Sequence, residues 1–172
     1  MGTEARNDLQ DVIAATYREL VDAQTEVTAL GCLLDAGSPA VVTLSVQTGA
    51  DELRAMLARG AEHIVEDEGA VLEMRWNPHA HLRHDSVAVP QALAAAGMSG
   101  GDAVEAVLTC LQRLVEQGTL DDLAPAAVRT VLITGESDRD TTSDLIAALN
   151  TPVRAAEWEE AWERFRDDLD DR

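Results

Sequence analysis

The fold is decided by residues 27–46, which read VTALGCLLDAGSPAVVTLSV. The two ends of this stretch, Val27–Leu34 and Val41–Val46, are rich in β-branched and aliphatic residues. The segment between them contains Gly37 and Pro39, and both residue types favour a turn. Two strand-like runs joined by a short turn predict a β-hairpin with two antiparallel strands.

Outside the hairpin, apolar residues three and four positions apart predict helices, and short β-rich runs predict further strands. The predicted helices are Thr3–Gln24, Ala50–Asp67, Pro90–Ala96, Asp102–Gln117, Thr141–Leu149 and Arg154–Leu169, and the further strands are Val71–Trp76 and Val128–Thr134. This order predicts an α+β fold: a small, mostly antiparallel sheet of about four strands flanked by several helices, with a C-terminal amphipathic helix. We expect a single domain over residues 1–172, because no linker or repeat interrupts the pattern and 46% of the residues are apolar.

The ends of two helices carry specific signals. Asp102 is a candidate N-cap with Glu105 at the capping-box position, and Gly118 stands where a C-terminal glycine belongs. Thr141, with Asp144 three residues later, predicts the start of the next helix. These residues define the expected boundaries of the helices around the strand Val128–Thr134.

The charge is strongly unbalanced. The chain has 32 acidic residues against 13 cationic ones, a formal net charge of −19, and every cation is arginine. An acidic surface repels phosphate backbones and anionic lipid head groups, so we expect no nucleic-acid or membrane partner, whereas a basic protein would be attracted. A salt-rich cytoplasm or a GC-rich genome explains the same composition equally well, and both interpretations stay open at this point.

The lack of lysine excludes two classes of enzyme. A Schiff-base mechanism needs a side-chain amine, and a Walker-type phosphate loop uses a lysine beside its glycines. Cys32 and Cys110 are isolated in apolar surroundings, which indicates small core residues in a reducing compartment. The charged N-terminus MGTEARNDLQ does not resemble a signal peptide, so the expected location is the cytoplasm.

One histidine cluster is a candidate metal site. His79, His81 and His84 are followed by Asp85, and imidazoles at such spacing can bind zinc or another divalent metal. The string is similar to the His-x-His-x-Asp-His motif of metallo-hydrolases, but Arg83 stands at the position of the motif's aspartate. The alternatives are a metal-dependent hydrolase that uses these three histidines and a polar surface loop.

A second candidate follows the strand Val128–Thr134. Asp138-Arg139-Asp140-Thr141 resembles the nucleophile motif of haloacid-dehalogenase phosphatases, in which paired carboxylates attack phosphorus and bind magnesium. Three residues separate the strand from Asp138, and the lysine of that mechanism is missing. The competing interpretation is a solvated loop before a helix.

The last helix carries an aromatic stripe. Trp158, Trp162, Phe165 and Leu169 recur at helical spacing, with acidic residues on the opposite face. The stripe either docks on the core or binds a partner, since exposed tryptophans concentrate binding energy. A homo-oligomer held by the stripe is a further possibility.

The order of these parts is similar to that of a bacterial domain-of-unknown-function family, numbered 4303. The residues that carry the resemblance are the hairpin Ala29–Leu34 and Val41–Val46, Arg75-Trp76-Asn77-Pro78, Leu111, Leu114, Gly118, Ser137-Asp138, Leu149-Asn150 and Pro152. An association of that family with toxin-immunity gene neighbourhoods implies a binding role. We therefore expect a non-enzymatic protein that neutralises a basic protein partner, with the metal-dependent hydrolase as the alternative.

Overall fold

The computed structural model describes residues 3–21, 26–58, 75–134 and 139–170, and gives the backbone alone for residues 3–6, 56, 58, 139 and 163–170. The described part contains seven α-helices, four strands and a short 3₁₀ turn. In chain order these are α1 (Thr3–Leu20), β1 (Val27–Asp35), β2 (Val41–Thr48), α2 (Gly49–Ala58), the 3₁₀ turn (Pro78–Ala80), β3 (Arg83–Asp85), α3 (Ala88–Ala95), α4 (Gly100–Glu116), α5 (Thr119–Leu123), β4 (Val128–Thr134), α6 (Arg139–Leu149) and α7 (Pro152–Asp170). The predicted α+β class is confirmed.

The four strands form one sheet in the order β3-β2-β1-β4. β1 and β2 pair antiparallel with Cys32 opposite Leu44, so the predicted hairpin is confirmed. The pair β2–β3 is also antiparallel, whereas β4 lies parallel to β1. A parallel neighbour needs a long crossover, and helices α3, α4 and α5 supply it.

One face of the sheet is covered by α1, α3 and α4. Alternate residues of the strands point to this face, because side chains of a strand alternate between its two sides. This first core contains Leu30, Cys32 and Leu34 from β1, Leu44 and Val46 from β2, Val131 from β4, Ile13 and Tyr17 from α1, Leu93 from α3, and Val107, Leu111 and Leu114 from α4.

The opposite face carries a second, smaller core. It contains Ala29 and Val128 from the sheet, Trp76, Ile146 from α6, and Trp158 and Ala161 from α7. The sheet is therefore buried on both faces, which explains why β1 and β4 read as nearly continuous apolar runs.

Strand β4 is an edge strand, and α6 runs beside it. The helix contributes Leu149 to the first core and Ile146 to the second. Beyond its end, the Asn150 side chain accepts a hydrogen bond from the Arg129 backbone N–H (2.9 Å) and donates one to the Arg129 carbonyl (2.7 Å). The amide therefore occupies the place of a neighbouring strand, and the helix and Asn150 together shield an edge that would otherwise invite pairing.

The predicted third strand, Val71–Trp76, is corrected. Residues 71–74 lie outside the described residues, but Arg75 and Trp76 are helical. The strand that completes the sheet is Arg83–Asp85, inside the predicted histidine loop. Its three residues are charged or polar, as is common for a short edge strand.

Two helix starts are also corrected. Helix α4 begins at Gly100 after Ser99, so Asp102 lies in its first turn and is not its cap. Helix α6 begins at Arg139, so Thr141 lies inside it. Gly118 does end α4 in the left-handed conformation (φ 74°), as predicted.

The outer bounds of the predicted helices agree less well. Helix α1 ends at Leu20, four residues before the predicted end at Gln24. The described part of the second helix ends at Ala58, and residues 59–67 lie outside the described residues.

Two ionisable groups lie deep in the first core beside each other. Burial raises the pKa of the Cys32 thiol to about 12. Burial, and secondarily the charge on Cys32, raises the pKa of Tyr17 well above its ordinary value. Both groups are therefore neutral throughout the physiological range, and both cysteines are free thiols.

We predict that the protein loses stability as pH rises from about 9 towards 12. In the unfolded chain Cys32 releases its proton near its ordinary pKa, whereas the native state retains it, so the native state binds more protons across this window. Urea unfolding at a series of pH values measures the effect, and Cys32→Ala should reduce the alkaline loss. A free energy of unfolding that stays level between pH 9 and pH 11 would contradict this assignment.

We also predict that Asn150→Ala lowers the free energy of unfolding by about 2–3 kcal/mol, because it removes the two bonds to Arg129 and a third to the Ile146 carbonyl. Asn7→Ala is the matched control, since Asn7 is exposed on α1 and should change stability by less than about 0.5 kcal/mol. Chemical denaturation of both variants checks the difference. Equal stabilities would show that the edge of β4 does not need the amide.

Candidate functional site

The central histidine of the predicted cluster, His81, is buried against the second face of the sheet. Its Nδ1 lies 2.8 Å from Ser45 Oγ, and its Nε2 lies 3.2 Å from the Arg75 carbonyl oxygen. A carbonyl only accepts, so Nε2 carries the proton and donates, and in the neutral ring Nδ1 accepts from the Ser45 hydroxyl. Both ring nitrogens are therefore used by the protein's own groups.

This arrangement requires a glycine in the middle of β1. A Cβ atom on Gly31 would lie 2.3 Å from Ser45 Oγ and 2.7 Å from His81 Nδ1. The imidazole therefore approaches the strand at a place where no other residue fits. Glycine inside a strand-like run is a known signal of such close approach, and it is the sequence feature that could have revealed this contact.

Two buried carboxylates at the start of α2 extend the polar cluster. Asp51 accepts from Thr48 Oγ1 (2.8 Å), from Arg54 (2.8 Å) and from Arg83 Nε (3.1 Å). Both Asp51 oxygens are occupied, and its side chain is 2% exposed. The carboxylate therefore joins α2 to β3.

Glu52 in turn joins α2 to the helical residue Arg75. It accepts from Arg75 Nε (2.9 Å) and NH2 (3.2 Å) and from Thr28 Oγ1 (2.6 Å). Buried carboxylates with such complete hydrogen bonding are stable only as a set, because removing one partner leaves an unpaired charge. The ion pairs and the His81 contacts together fasten Arg75–Asp85 to the sheet.

The other two histidines of the motif have exposed side chains: His79 lies in the 3₁₀ turn, and His84 lies in β3 opposite Ser45 of β2. Among the described residues, no three His, Cys, Asp or Glu side chains are arranged to hold a metal ion. The described structure therefore gives no support to the metal-dependent hydrolase interpretation.

In the phosphatase-like motif Asp138-Arg139-Asp140-Thr141, the structure describes the side chain of only one of the two aspartates. Asp138 lies outside the described residues. Asp140 is exposed in the first turn of α6. The phosphatase-like interpretation therefore gains no support from the described geometry.

The aromatic stripe of α7 divides into two parts. Trp158 is 4% exposed in the second core, so it docks on the protein itself. Trp162 stacks on it with ring centroids 5.5 Å apart and is 38% exposed. The side chain of Phe165 is outside the described residues. Within the described part of the stripe, Trp162 is the residue that offers an aromatic surface.

Four carboxylates on helices α1, α4 and α5 are exposed, and we name them the acidic face: Asp8, Asp11, Glu116 and Asp122. The side chains of Gln10 and Gln117 join α1 to the end of α4 through a 2.7 Å hydrogen bond. Asp8 and Asp11 lie in α1 one helical turn apart, Glu116 precedes Gln117 in sequence, and Asp122 lies in α5, which contacts α1. No ion pair joins these four carboxylates to another described residue.

Comparisons of the chain with protein-family models, with curated proteins and with solved structures find no match. None of the described helices has the length and apolar character needed to cross a lipid bilayer.

We predict that Gly31→Ala lowers the free energy of unfolding by about 3 kcal/mol, because the new methyl overlaps Ser45 and His81 in a packed layer. Gly101→Ala is the matched control: Gly101 lies in α4 with open space around its Cα, so alanine should leave stability unchanged or raise it by up to about 1 kcal/mol. Thermal and urea unfolding compare the two variants. A Gly31→Ala protein as stable as the parent would refute the close contact.

Proposed function

We propose that the protein works by contact and binds a basic protein partner through the acidic face. The observation that carries the proposal is that four carboxylates on α1, α4 and α5 are exposed and have no ion-pair partner in the described structure, on a chain of net charge −19. Carboxylates with unsatisfied charge at a convex helical surface attract arginine and lysine side chains.

The contrast with the buried carboxylates supports this proposal. Asp51 and Glu52 are paired with arginines and serve the fold. Asp121 also pairs with Arg129 from the core. The chain therefore places arginines beside the carboxylates that hold its structure, and it leaves the acidic face without a described cation.

Trp162 adds a second type of contact to the proposal. An indole ring with one exposed face can stack on a cationic side chain, and the interaction is worth about 0.5–1 kcal/mol at an exposed site. The family resemblance favours a specific version of the function, in which the protein neutralises its partner as an immunity protein does.

The partner can be identified by capture at low salt from a lysate of the source cell, followed by release as the salt concentration rises. The interaction of the purified pair is then measured by titration calorimetry. We predict that neutralising the acidic face (Asp8→Asn, Asp11→Asn, Glu116→Gln and Asp122→Asn together) weakens binding roughly tenfold or more, since each exposed charge pair contributes about 0.2–1 kcal/mol.

A matched control removes four exposed carboxylates elsewhere. Asp102→Asn, Glu105→Gln, Asp140→Asn and Asp144→Asn together change the net charge by the same amount, and these side chains are also exposed. Binding should be nearly unaffected. Equal weakening of both variants would show that net charge alone matters, and affinity that does not depend on salt would contradict the proposal.

A further inference from the structure

Arg129 places a guanidinium group inside the first core. Its side chain projects from β4 and is 4% exposed. NH1 donates to the Leu149 carbonyl (3.1 Å), and NH2 donates to Asp121. Of the three guanidinium nitrogens, Nε is the one that is buried without a hydrogen-bond partner in the described structure.

A cavity lies beside this side chain. Its volume is about 10 Å³, and its lining includes Arg129, Tyr17, Cys32 and Leu149. All of the residues that line the cavity are buried. A volume of this size is about the minimum that a single water molecule requires.

Tyr17 supplies an acceptor on the same cavity. Its hydroxyl donates to the Gly31 carbonyl oxygen at 3.0 Å, so its proton is committed and its oxygen lone pairs stay available. The cavity is thus lined by Arg129, whose Nε–H has no partner, and by Tyr17, whose oxygen can still accept. A water molecule can satisfy both, because it accepts and donates at the same time.

We infer that this cavity is a binding site for one structural water, which accepts a hydrogen bond from Arg129 Nε–H and donates one to Tyr17 Oη. The water gives a partner to the one nitrogen of this buried charge that has none, since NH1 and NH2 each already donate a hydrogen bond. Leaving such a donor unpaired costs more than leaving a neutral one, which explains why the core retains a space of this size.

The first test is NMR of protein labelled with ¹⁵N at arginine. We expect a nuclear Overhauser effect between water and Arg129 Hε, with the sign of a long-lived complex. Tyr17→Phe removes the acceptor and should abolish the signal. Thr16→Val is the matched control, because it removes the neighbouring hydroxyl, which donates to the Val12 carbonyl oxygen and not into this cavity; its signal should remain.

A crystal structure of the unmodified chain is the second measurement, and it decides the matter even if Tyr17→Phe does not fold. Electron density within hydrogen-bonding distance of both Arg129 Nε and Tyr17 Oη is expected. An absent Overhauser effect in the parent protein, a signal that survives Tyr17→Phe, or a cavity without density would each overturn the assignment.

Discussion

The structure depends on one constraint: strand β1 must be covered by packed side chains on both faces of the sheet. It is an inner strand of the sheet, with an antiparallel neighbour on one side and a parallel neighbour on the other. Its residue Gly31 is contacted from both sides of the sheet. The Gly31 carbonyl accepts from Tyr17 of α1, and a Cβ atom on Gly31 would meet Ser45 of β2 and His81 on the other face. A side chain at this position would overlap these two groups, so the glycine is required by the packing itself.

The strands whose sequences are apolar could be predicted, and so could the helices with a clear apolar stripe. Residues 27–46 and β4 are rich in the β-branched and aliphatic residues that predict strands. Gly118 marks the end of α4 because the backbone there is left-handed, a conformation that glycine adopts easily. Strand β3 could not be found in this way. Its residues Arg83–Asp85 are polar, and they become a strand only because β2 presents an edge and Asp51 holds Arg83 beside it. This contact spans more than thirty residues, so no local pattern encodes it.

The role of the histidines could not be predicted from the sequence either. Spacing in the sequence placed His79, His81 and His84 together, and residue type suggested a metal. The structure buries His81 against Ser45 and the Arg75 carbonyl, whereas His79 in the 3₁₀ turn and His84 in β3 have exposed side chains. Whether an imidazole binds a metal or stabilises the fold depends on which groups lie within hydrogen-bonding or coordination distance of its two ring nitrogens. Ser45 and the Arg75 carbonyl are distant in sequence from each other, so this information is absent from the motif.

The use of arginine links the fold to the surface charge. In the ion pairs of the described residues, five arginines contact only three carboxylates: Arg54 and Arg83 pair with Asp51, Arg75 with Glu52, and Arg129 and Arg154 with Asp121. Cationic residues are scarce in this chain, and these ion pairs contain more arginines than carboxylates. The remaining surface is therefore more acidic than the overall composition suggests. Because a compact state with such a surface repels itself, the carboxylates outside the networks oppose folding, and a bound basic partner would relieve this repulsion and stabilise the native state.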